Sequence, residues 1–242
     1  MDTKDKILRH PRNANILFDK DAHKYTYIGG KFPEEYKGLT SLIKNCQEPF
    51  DKEGISRGVA RKRGISVAEV LAEWDDATEY GNTVHDGIEN LIETGEWDDE
   101  IDYELTAFSQ MHTELDLTPV VCEWVIYNED YKRASAIDGV FLDKDGKLTI
   151  VDFKTYKNFT FDPYKNKNFL FPLINVPDTK YNYTCIQIMS YDKWLREKYS
   201  DIPISDTHYI FHIRPDEYGW YPVAPMTKSV ELIHKHHDLF AI

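Results

Sequence analysis

Helical periodicity governs the first half of the chain and gives way to alternation in the second half. Apolar positions recur every three to four residues in two short segments within residues 40–64, and again over residues 66–95. Ser66 followed by Glu69 is a capping-box signature for the start of the longer segment, and Gly81 marks a candidate break inside it. The sequence therefore predicts two short helices and one long one, and the segment DYELTAFSQMHTEL predicts a further helix.

Strand-like alternation follows. Turns of Asn-Glu-Asp and Lys-Asp-Gly separate three alternating segments, PVVCEWVIYN, ASAIDGVFLD and KLTIVDFK. They predict an antiparallel meander. The remaining elements are a helix over YNYTCIQIMSYDKWLREKY, a strand over DTHYIFHIRP, a short strand near GWYPVA and a terminal helix over SVELIHKHHDLF.

The order of these elements predicts a mixed α/β sandwich. Near the N-terminus, NILFDKDAHKYTYIGGKFP alternates and contains two turn clusters, which indicates a peripheral β-hairpin. We therefore predict an N-terminal hairpin with short helices in residues 1–65, packed on a core formed by residues 66–242.

The turn between the second and third meander strands decides whether two aspartates meet. A two-residue Asp145-Gly146 turn would put Asp138 and Asp152 on opposite faces, because a one-residue slip in register flips every side chain. A three-residue loop that also includes Lys144, with the glycine in the left-handed conformation, would place Asp138 opposite Asp152. The apolar pairs behind the acids favour this second register.

Those pairs are Val140 with Ile150 and Leu142 with Leu148, which together form an apolar floor. Opposed side chains have β-carbons about 4.5–5.5 Å apart, and two carboxylates at that distance repel unless a positive charge lies between them. A divalent cation is the candidate. Small hard cations keep several waters and so leave positions for phosphate oxygens.

Two further charged residues belong to this strand face. A two-residue turn after Asn128 or a four-residue turn after Tyr127 would set Glu123 opposite Ala136, diagonal to Asp138, as a further acid. Asp152 and Lys154 lie about 6–7 Å apart along one face, so the ammonium reaches whatever a metal at the aspartate holds. Its role would be proton handling or stabilisation of charge. The simpler alternative is an edge-strand ion pair.

Two helices contribute polar pairs at i, i+4 spacing, which places both members on one helix face. His85 and Glu89 stand beside an apolar stripe, with Gly81 one turn earlier permitting close approach of another backbone. Gln187 and Tyr191 repeat the spacing on the later helix. Both pairs also fit ordinary core packing.

Composition limits the function classes. A chain of 242 residues with 41% hydrophobic content can bury one good-sized core. Twenty-nine Lys and Arg against forty-two Asp and Glu give a net charge of −13, so any nucleic-acid contact must be local. Neither a signal peptide nor an apolar run of membrane-spanning length is visible, which predicts a soluble, cytoplasmic protein with no membrane contact. A bacterial or viral origin is a guess.

Five motifs occur in a recognisable chain order. They are G-x-x-x-H-x-x-x-E from Gly81, an acidic residue on the first meander strand, then A-I-D-G, V-D-F-K-T and Q-x-x-x-Y. In this order, with these elements, the sequence resembles the RecB-type, exonuclease-like branch of the PD-(D/E)XK nuclease superfamily. The resemblance covers roughly residues 77–191, about half of the chain.

The resemblance implies a restriction-endonuclease-like α/β core with a mixed central sheet flanked by helices. It implies a Mg²⁺- or Mn²⁺-dependent deoxyribonuclease, more specifically an exonuclease, in DNA recombination, repair or processing, for which a viral source is a guess. DNA that is single-stranded or has free ends would be the partner.

The resemblance also implies roles for individual residues. The metal ligands would be His85, Asp138, Asp152 and the carbonyl oxygen of Phe153. Lys154 would act on the reacting phosphate together with Asp138, Asp152 and Glu123. Gln187 and Tyr191 would contact DNA or brace the site, and Glu89 would support the metal ligands from behind.

The sequence departs from relatives at two points. Ser135 stands where a glycine is frequent, three residues before the first aspartate. Some relatives bind an iron–sulfur cluster through four cysteines, whereas this chain has Cys46, Cys122 and Cys185, far apart and in apolar context. We expect reduced, mostly buried thiols and no iron–sulfur cluster.

The segment YKNFTFDPYKNKNFLF, directly after the third meander strand, interleaves aromatic residues with lysines. Such a pattern suits bases that stack beside a tracked backbone. The candidate phosphate contacts are Lys157, Lys165 and Lys167, and the candidate stacking residues include Phe159, Phe161 and Phe169. The segment would form a lid over single-stranded DNA, or alternatively a loop that folds its aromatics inward.

Two other function classes fit the sequence. One is a catalytically silent DNA-binding module on the same fold, against which the intact Asp-Asp-Lys set argues. The other is an acidic interaction protein that mimics DNA, for which the net charge of −13 is the support. Metal-dependent digestion of labelled DNA separates all three.

Overall fold

A computed structural model describes residues 2–20 and 22–240 of the chain. Its strands are β1 (Ile16–Asp19), β2 (Lys24–Tyr27), β3 (Glu34–Gly38), β4 (Thr118–Asn128), β5 (Arg133–Leu142), β6 (Leu148–Lys154), β7 (Tyr209–Ile213) and β8 (Tyr218–Pro222). Its α-helices are α1 (Thr3–Leu8), α2 (Leu39–Lys44), α3 (Lys52–Arg63), α4 (Val67–Thr94), α5 (Asp102–Glu114), α6 (Lys180–Lys198) and α7 (Thr227–Lys235). Short 3₁₀ turns occupy Pro11–Asn15, Asp99–Ile101, Tyr164–Asn166 and His237–Phe240.

All eight strands join one mixed sheet. Its order is β1-β2-β3-β5-β6-β7-β8, and β4 pairs with β5 along most of its length. The β3–β5 and β6–β7 pairs are parallel and the others are antiparallel. The protein is therefore an α/β fold with a mixed central sheet flanked by helices, as the sequence predicted.

Two hydrophobic layers cover the two faces of the sheet. On one face, Val140 and Ile150 pack with residues of α2, α6 and α7, among them the fully buried Trp194. On the other face, Val151 and Phe153 pack with residues of α4 and α5. Successive strand residues point to opposite layers, so Asp152 belongs to the α6 face.

The long predicted helix is α4, which begins at a Ser66–Glu69 capping box and ends at Gly95 in the left-handed conformation. The candidate break at Gly81 does not occur, since α4 runs through it. The predicted hairpin is β1–β2, which forms one edge of the sheet. β3, which the sequence analysis missed, joins it to β5 and so to the central sheet.

The register of the β5–β6 hairpin confirms the three-residue loop. Val140 pairs with Ile150 and Leu142 with Leu148, and the amide of Asp143 donates to the carbonyl of Lys147. Gly146 has φ 71°, a left-handed conformation that its missing side chain makes accessible. Continuing this register places Asp138 opposite Asp152.

The predicted register of Glu123 was wrong by two residues. A four-residue turn follows Asn128, so Val125 pairs with Ala136 and Glu123 lies opposite Asp138. The side chain stays on the predicted face and comes closer to the aspartate than expected.

The cysteines and the apolar content of the helices can both be located in the structure. Cys46, Cys122 and Cys185 are free thiols and are buried, as predicted. Among the described residues, none of the helices combines the length and the apolar character needed to cross a membrane.

Buried His234 gives a testable pH dependence. Its ring packs against Tyr131 and Trp194, and neither ring nitrogen has a hydrogen-bond partner among the described residues. Burial lowers its pKa from 6.5 to about 3, with Lys193 adding to the effect. The unfolded chain therefore binds a proton between these two pH values that the folded chain does not, so stability falls as pH falls below 6.5.

We expect the protonation of His234 in the unfolded chain to lower the free energy of unfolding by about 1–2 kcal/mol as pH falls from 7 to 5. His234→Phe keeps the ring contacts and should flatten this dependence in urea unfolding curves. His236→Phe, on a half-exposed neighbour, is the control. Equal pH slopes in wild type and His234→Phe would contradict the assignment.

Candidate metal centre and cleft

Asp138 and Asp152 lie where β5 and β6 separate. Regular pairing of the two strands ends at Gly139 and Val151. One residue further, the side chain of Asp138 replaces a backbone acceptor, because its Oδ2 accepts a hydrogen bond from the amide of Phe153 at 3.0 Å. The strands diverge around two carboxylates instead of closing on them.

Glu123 reaches the same point from β4. It is a non-glycine residue with φ 48°, and regular pairing of β4 and β5 skips it between Cys122 and Trp124. Burial raises its pKa, and together with the charges of Asp138 and Glu89 it brings the pKa to about 7. Glu123 therefore adds a third acid to a small volume.

His85 comes to the acids from α4, the helix that covers the other face of the sheet. Its Nε2 lies 3.0 Å from the carbonyl oxygen of Phe153, and its Nδ1 lies 3.9 Å from Oδ2 of Asp138. One turn earlier, a β-carbon on Gly81 would lie 3.0 Å from the hydroxyl of Thr155, so the glycine permits this close approach.

The hydrogen bond fixes the tautomer of neutral His85. A carbonyl oxygen only accepts, so Nε2 carries the proton and Nδ1 presents a lone pair. That lone pair faces a carboxylate oxygen of Asp138. Two acceptors held face to face need a cation or a proton between them.

Lys154 lies between the two aspartates. Its ammonium contacts Oδ2 of Asp152, lies 3.8 Å from Oδ2 of Asp138 and donates to the carbonyl of Phe153 at 3.3 Å. Burial by itself lowers the pKa of Lys154, but the two carboxylates outweigh burial and raise the pKa above its ordinary value. The side chain is a fixed cation.

Asp152 is the most deeply buried member of the site, with a side chain 1% exposed. Apart from the contact with Lys154, neither carboxylate oxygen has a hydrogen-bond partner among the described residues. Burial raises its pKa and Asp138 raises it further, against the lowering effect of Lys154.

The donor set fits a divalent cation. His85, Glu123 and Asp138 each offer one ligand atom, and these atoms lie within 4.8 Å of one another. Carboxylate oxygens suit Mg²⁺ and Mn²⁺, and imidazole is compatible with Mn²⁺. Burial and, after it, the charge of Asp138 raise the pKa of Glu123, and a bound cation would favour the ionised carboxylate against both.

Two of the predicted metal ligands have other partners in this structure. Asp152 is not part of the three-residue set and is turned toward Lys154. The carbonyl of Phe153 accepts from His85. Glu123, predicted as a catalytic acid, is instead one of the three residues able to hold the ion.

The centre lies in a cleft of about 1240 Å³. One wall is α4 and another is the end of β6 with the residues after it. The hairpin contributes Phe18, Lys20 and His23, and α6 contributes Lys180. Trp74 and Tyr156 supply aromatic surface in the walls.

The predicted DNA contacts Gln187 and Tyr191 are buried, 6% and 1% exposed, so they cannot touch DNA directly. The Gln187 amide donates to the Tyr191 hydroxyl at 2.9 Å, and that hydroxyl lies 3.0 Å from the Ser135 hydroxyl. This chain of hydrogen bonds joins α6 to β5. It supports the bracing role that the sequence left as the alternative.

Glu89 does not touch the three ligand residues. Its carboxylate binds the ammonium of Lys20 at 2.9 Å, and its charge acts on Glu123 from a distance. It therefore fastens the β1–β2 hairpin to α4.

The lysines of the segment after β6 separate into two groups. Lys157 lines the cleft, as predicted for a phosphate contact. Lys165 and Lys167 do not line it; Lys167 forms an ion pair with Glu48, and Lys165 lies over the ring of Tyr164. Their assignment to substrate binding is not supported by their positions.

The aromatics of this segment divide as well. Phe169 is 2% exposed and belongs to the main core, so its prediction as a base-stacking residue was wrong. Phe159 stacks on the rings of His212 and Tyr221 at 5.4 Å. The inward-folding alternative holds for Phe159 and Phe169, whereas Tyr156, Phe161, Tyr164 and Phe171 are exposed.

Phe169→Ala should destabilise the protein by about 3–5 kcal/mol, the range for emptying a buried aromatic position. Tyr164→Ala, in the same segment but 71% exposed, should change the unfolding free energy by less than about 0.5 kcal/mol. Chemical denaturation measures both. Similar small losses in the two variants would show that Phe169 is not a core residue.

The cleft residues that the sequence analysis missed include Lys20, Trp74 and Lys180. Lys20 comes from the N-terminal hairpin, Lys180 stands seven residues before Gln187, and Trp74 stands about three turns before His85 on α4. Trp74, Gly81 and His85 follow the i, i+3 and i, i+4 spacing of one helix face, and this spacing was the sequence signal that could have identified Trp74.

No protein-family model matches the sequence, and no curated protein matches it. Among solved structures, the crystal structure of SSO0001 is similar with a TM-score of 0.39 and 14% identity, over 84% of this chain and 74% of that chain. A similarity of this size does not identify a family.

Proposed function

We propose that the protein is a metal-dependent deoxyribonuclease with a restriction-endonuclease-like core, of the RecB-type branch of the PD-(D/E)XK superfamily. The observation that carries the proposal is the meeting of His85, Glu123 and Asp138 beside the Asp152–Lys154 pair. Of these residues, His85, Glu123 and Lys154 line one cleft. An edge-strand ion pair does not require the histidine or the third acid.

Each group has a part in phosphodiester hydrolysis. A Mg²⁺ or Mn²⁺ ion held by His85, Glu123 and Asp138 would make a water nucleophilic near neutral pH and offset charge on the phosphate oxygens. Lys154 stays protonated between its carboxylates, so it supplies fixed positive charge where negative charge grows on the phosphate. Asp152 holds that ammonium in place.

Hydrogen bonds to neighbouring residues keep the site residues in position. The His85 hydrogen bond to the Phe153 carbonyl fixes the imidazole against β6. Tyr191 and Gln187 tie α6 to β5 beneath the acids. Burial raises the pKa of Tyr191, and Asp138 and Asp152 raise it further, so the hydroxyl remains a proton donor at neutral pH.

The test is digestion of end-labelled DNA with Mg²⁺, Mn²⁺ or a chelator, by wild type and Asp138→Asn. We expect digestion by wild type that depends on the metal, and loss of digestion in the variant. DNA binding without digestion would indicate a silent binding module. Absence of both would favour an acidic DNA mimic.

A further inference from the structure

A short stretch of β5 next to the metal centre is left with one strand neighbour. β3 pairs with β5 as far as Ala134, and β6 pairs with it from Gly139 onward. Residues 135–138, which end at Asp138, lie between these two pairings, and among the described strands only β4 continues beside them. Backbone amides in such a gap need acceptors from elsewhere, because an unpaired amide away from water costs free energy.

The side chain of Tyr25 reaches into this gap from β2. Its hydroxyl accepts a hydrogen bond from the amide of Ala136 at 3.2 Å, two residues before Asp138. Tyr25 is 3% exposed, and its ring stacks on that of Phe18 with 4.6 Å between the ring centres. A long side chain thus brings an acceptor to β5 without adding a backbone beside the acids.

The hydroxyl of Tyr25 also lies close to the acids of the site. Burial raises the pKa of Tyr25, and the amide of Ala136 lowers it. The charges of Glu123 and Asp138 add to the rise, and the pKa comes to about 12, so the hydroxyl keeps its proton at neutral pH. Glu123 and Asp138 are two of the three residues able to hold a cation, so Tyr25 borders the metal centre.

A second tyrosine holds the residue before Ala136. The hydroxyl of Ser135 lies 3.0 Å from the hydroxyl of Tyr191 on α6. Because Ser135 and Ala136 are consecutive, α6 holds one residue and β2 holds the next. The backbone that leads to Asp138 is therefore fixed from two elements, and it cannot shift without breaking one of these hydrogen bonds.

We propose that Tyr25 is a positioning residue of the metal centre. Its hydroxyl fixes the amide of Ala136, and through this amide it fixes the place of Asp138 relative to the other ligand residues. Tyr25 comes from the N-terminal hairpin, outside the motif series that begins at Gly81. This role rests on the proposed metal-dependent function and adds to it a residue that the motifs do not contain.

The first test is calorimetric titration of wild type, Tyr25→Phe and Tyr36→Phe with Mn²⁺. Removing the Tyr25 hydroxyl should weaken the Mn²⁺ affinity by about tenfold or more, the effect typical of groups that orient metal ligands. Tyr36 is the matched control, since it is 4% exposed and pairs with Tyr25 on the neighbouring strand. Its hydroxyl has no hydrogen-bond partner among the described residues, so Tyr36→Phe should bind Mn²⁺ like wild type.

Thermal unfolding in chelator establishes whether each variant is folded. Equal Mn²⁺ affinity in wild type and Tyr25→Phe would overturn the inference and leave the metal-dependent function standing. An equal loss in Tyr36→Phe, or a Tyr25→Phe protein that does not fold, would assign the effect to packing of the hairpin and overturn the inference as well. A wild type that binds no Mn²⁺ would remove the proposed function and the inference together.

The second test measures cleavage of end-labelled DNA against Mn²⁺ concentration. In Tyr25→Phe, the Mn²⁺ concentration for half-maximal cleavage should rise about tenfold, and the plateau rate should stay within a few-fold of wild type. Lys154→Met should lower the plateau instead, since its ammonium acts on the phosphate. A Tyr25→Phe protein with a lowered plateau and the wild-type half-maximal concentration would contradict the positioning role.

Discussion

Lys154→Met is expected to lower single-turnover DNA cleavage by about 100- to 1,000-fold, the range for removing one preorganised charge from a reacting oxyanion. The ammonium is held within reach of both aspartates and the Phe153 carbonyl, at the floor of the cleft. Affinity for single-stranded DNA in chelator should change little, since Lys157 and Lys180 remain. Activity within a few-fold of wild type would remove Lys154 from the mechanism.

The same substitution should also cost stability, which the sequence did not predict. Removing Lys154 leaves Asp152, 1% exposed, without its charge partner, at a cost of about 3 kcal/mol. Lys154→Met combined with Asp152→Asn should recover much of that stability and none of the activity. Lys193→Met, which breaks an exposed pair with Glu197, should cost less than about 1 kcal/mol.

Mn²⁺ is expected to stabilise the wild-type protein by about 3 kcal/mol at a concentration 100 times its Kd. Asp138→Asn should abolish this gain, because it removes the carboxylate that faces both His85 and Glu123. Thermal unfolding with and without Mn²⁺ measures the effect. Asp145→Asn, an exposed acid in the β5–β6 turn, should keep the full gain.

Asp152→Asn distinguishes the metal ligands that the motif implies from those that the structure brings together. The motif makes Asp152 a ligand equal to Asp138, whereas the structure turns it toward Lys154 and places Glu123 in the ligand set. We therefore expect Asp152→Asn to retain more of the Mn²⁺ stabilisation than Glu123→Gln. The reverse order would restore Asp152 as a primary ligand.

Local chemistry determined much of the fold in advance. The Ser66 capping box, the left-handed Gly146 and the alternating apolar pairs of β5 and β6 depend on neighbours a few residues away. Such signals set helix starts, turn lengths and hairpin register without reference to the rest of the chain. The facing of Asp138 and Asp152 followed from them.

The position of Glu123 could not be fixed in this way. Several turn lengths between β4 and β5 are compatible with the same alternation of apolar residues. The observed four-residue turn after Asn128 shifts the residue opposite Glu123 by two positions, from Ala136 to Asp138. A register shift of two residues keeps a side chain on the same face of the sheet. The sequence therefore determined the face on which Glu123 lies, and the structure determined which residue lies opposite it.

Contacts between distant segments were decided by tertiary structure alone. Phe169 became a core residue and Lys167 an ion-pair partner of Glu48, because packing against other elements overrides the pattern of a single loop. Likewise, Lys20 lines the cleft and pairs with Glu89 only because β3 pairs with β5 and brings the hairpin to α4.

The sequence by itself determined which residue types are available to the site and on which elements they stand. Only the folded chain determined that β5 and β6 separate at the acids, so that His85 from one side of the sheet meets Asp138 on the other. The physical reason is that propensity and periodicity act over a few residues, whereas a site between layers depends on how separately specified elements pack.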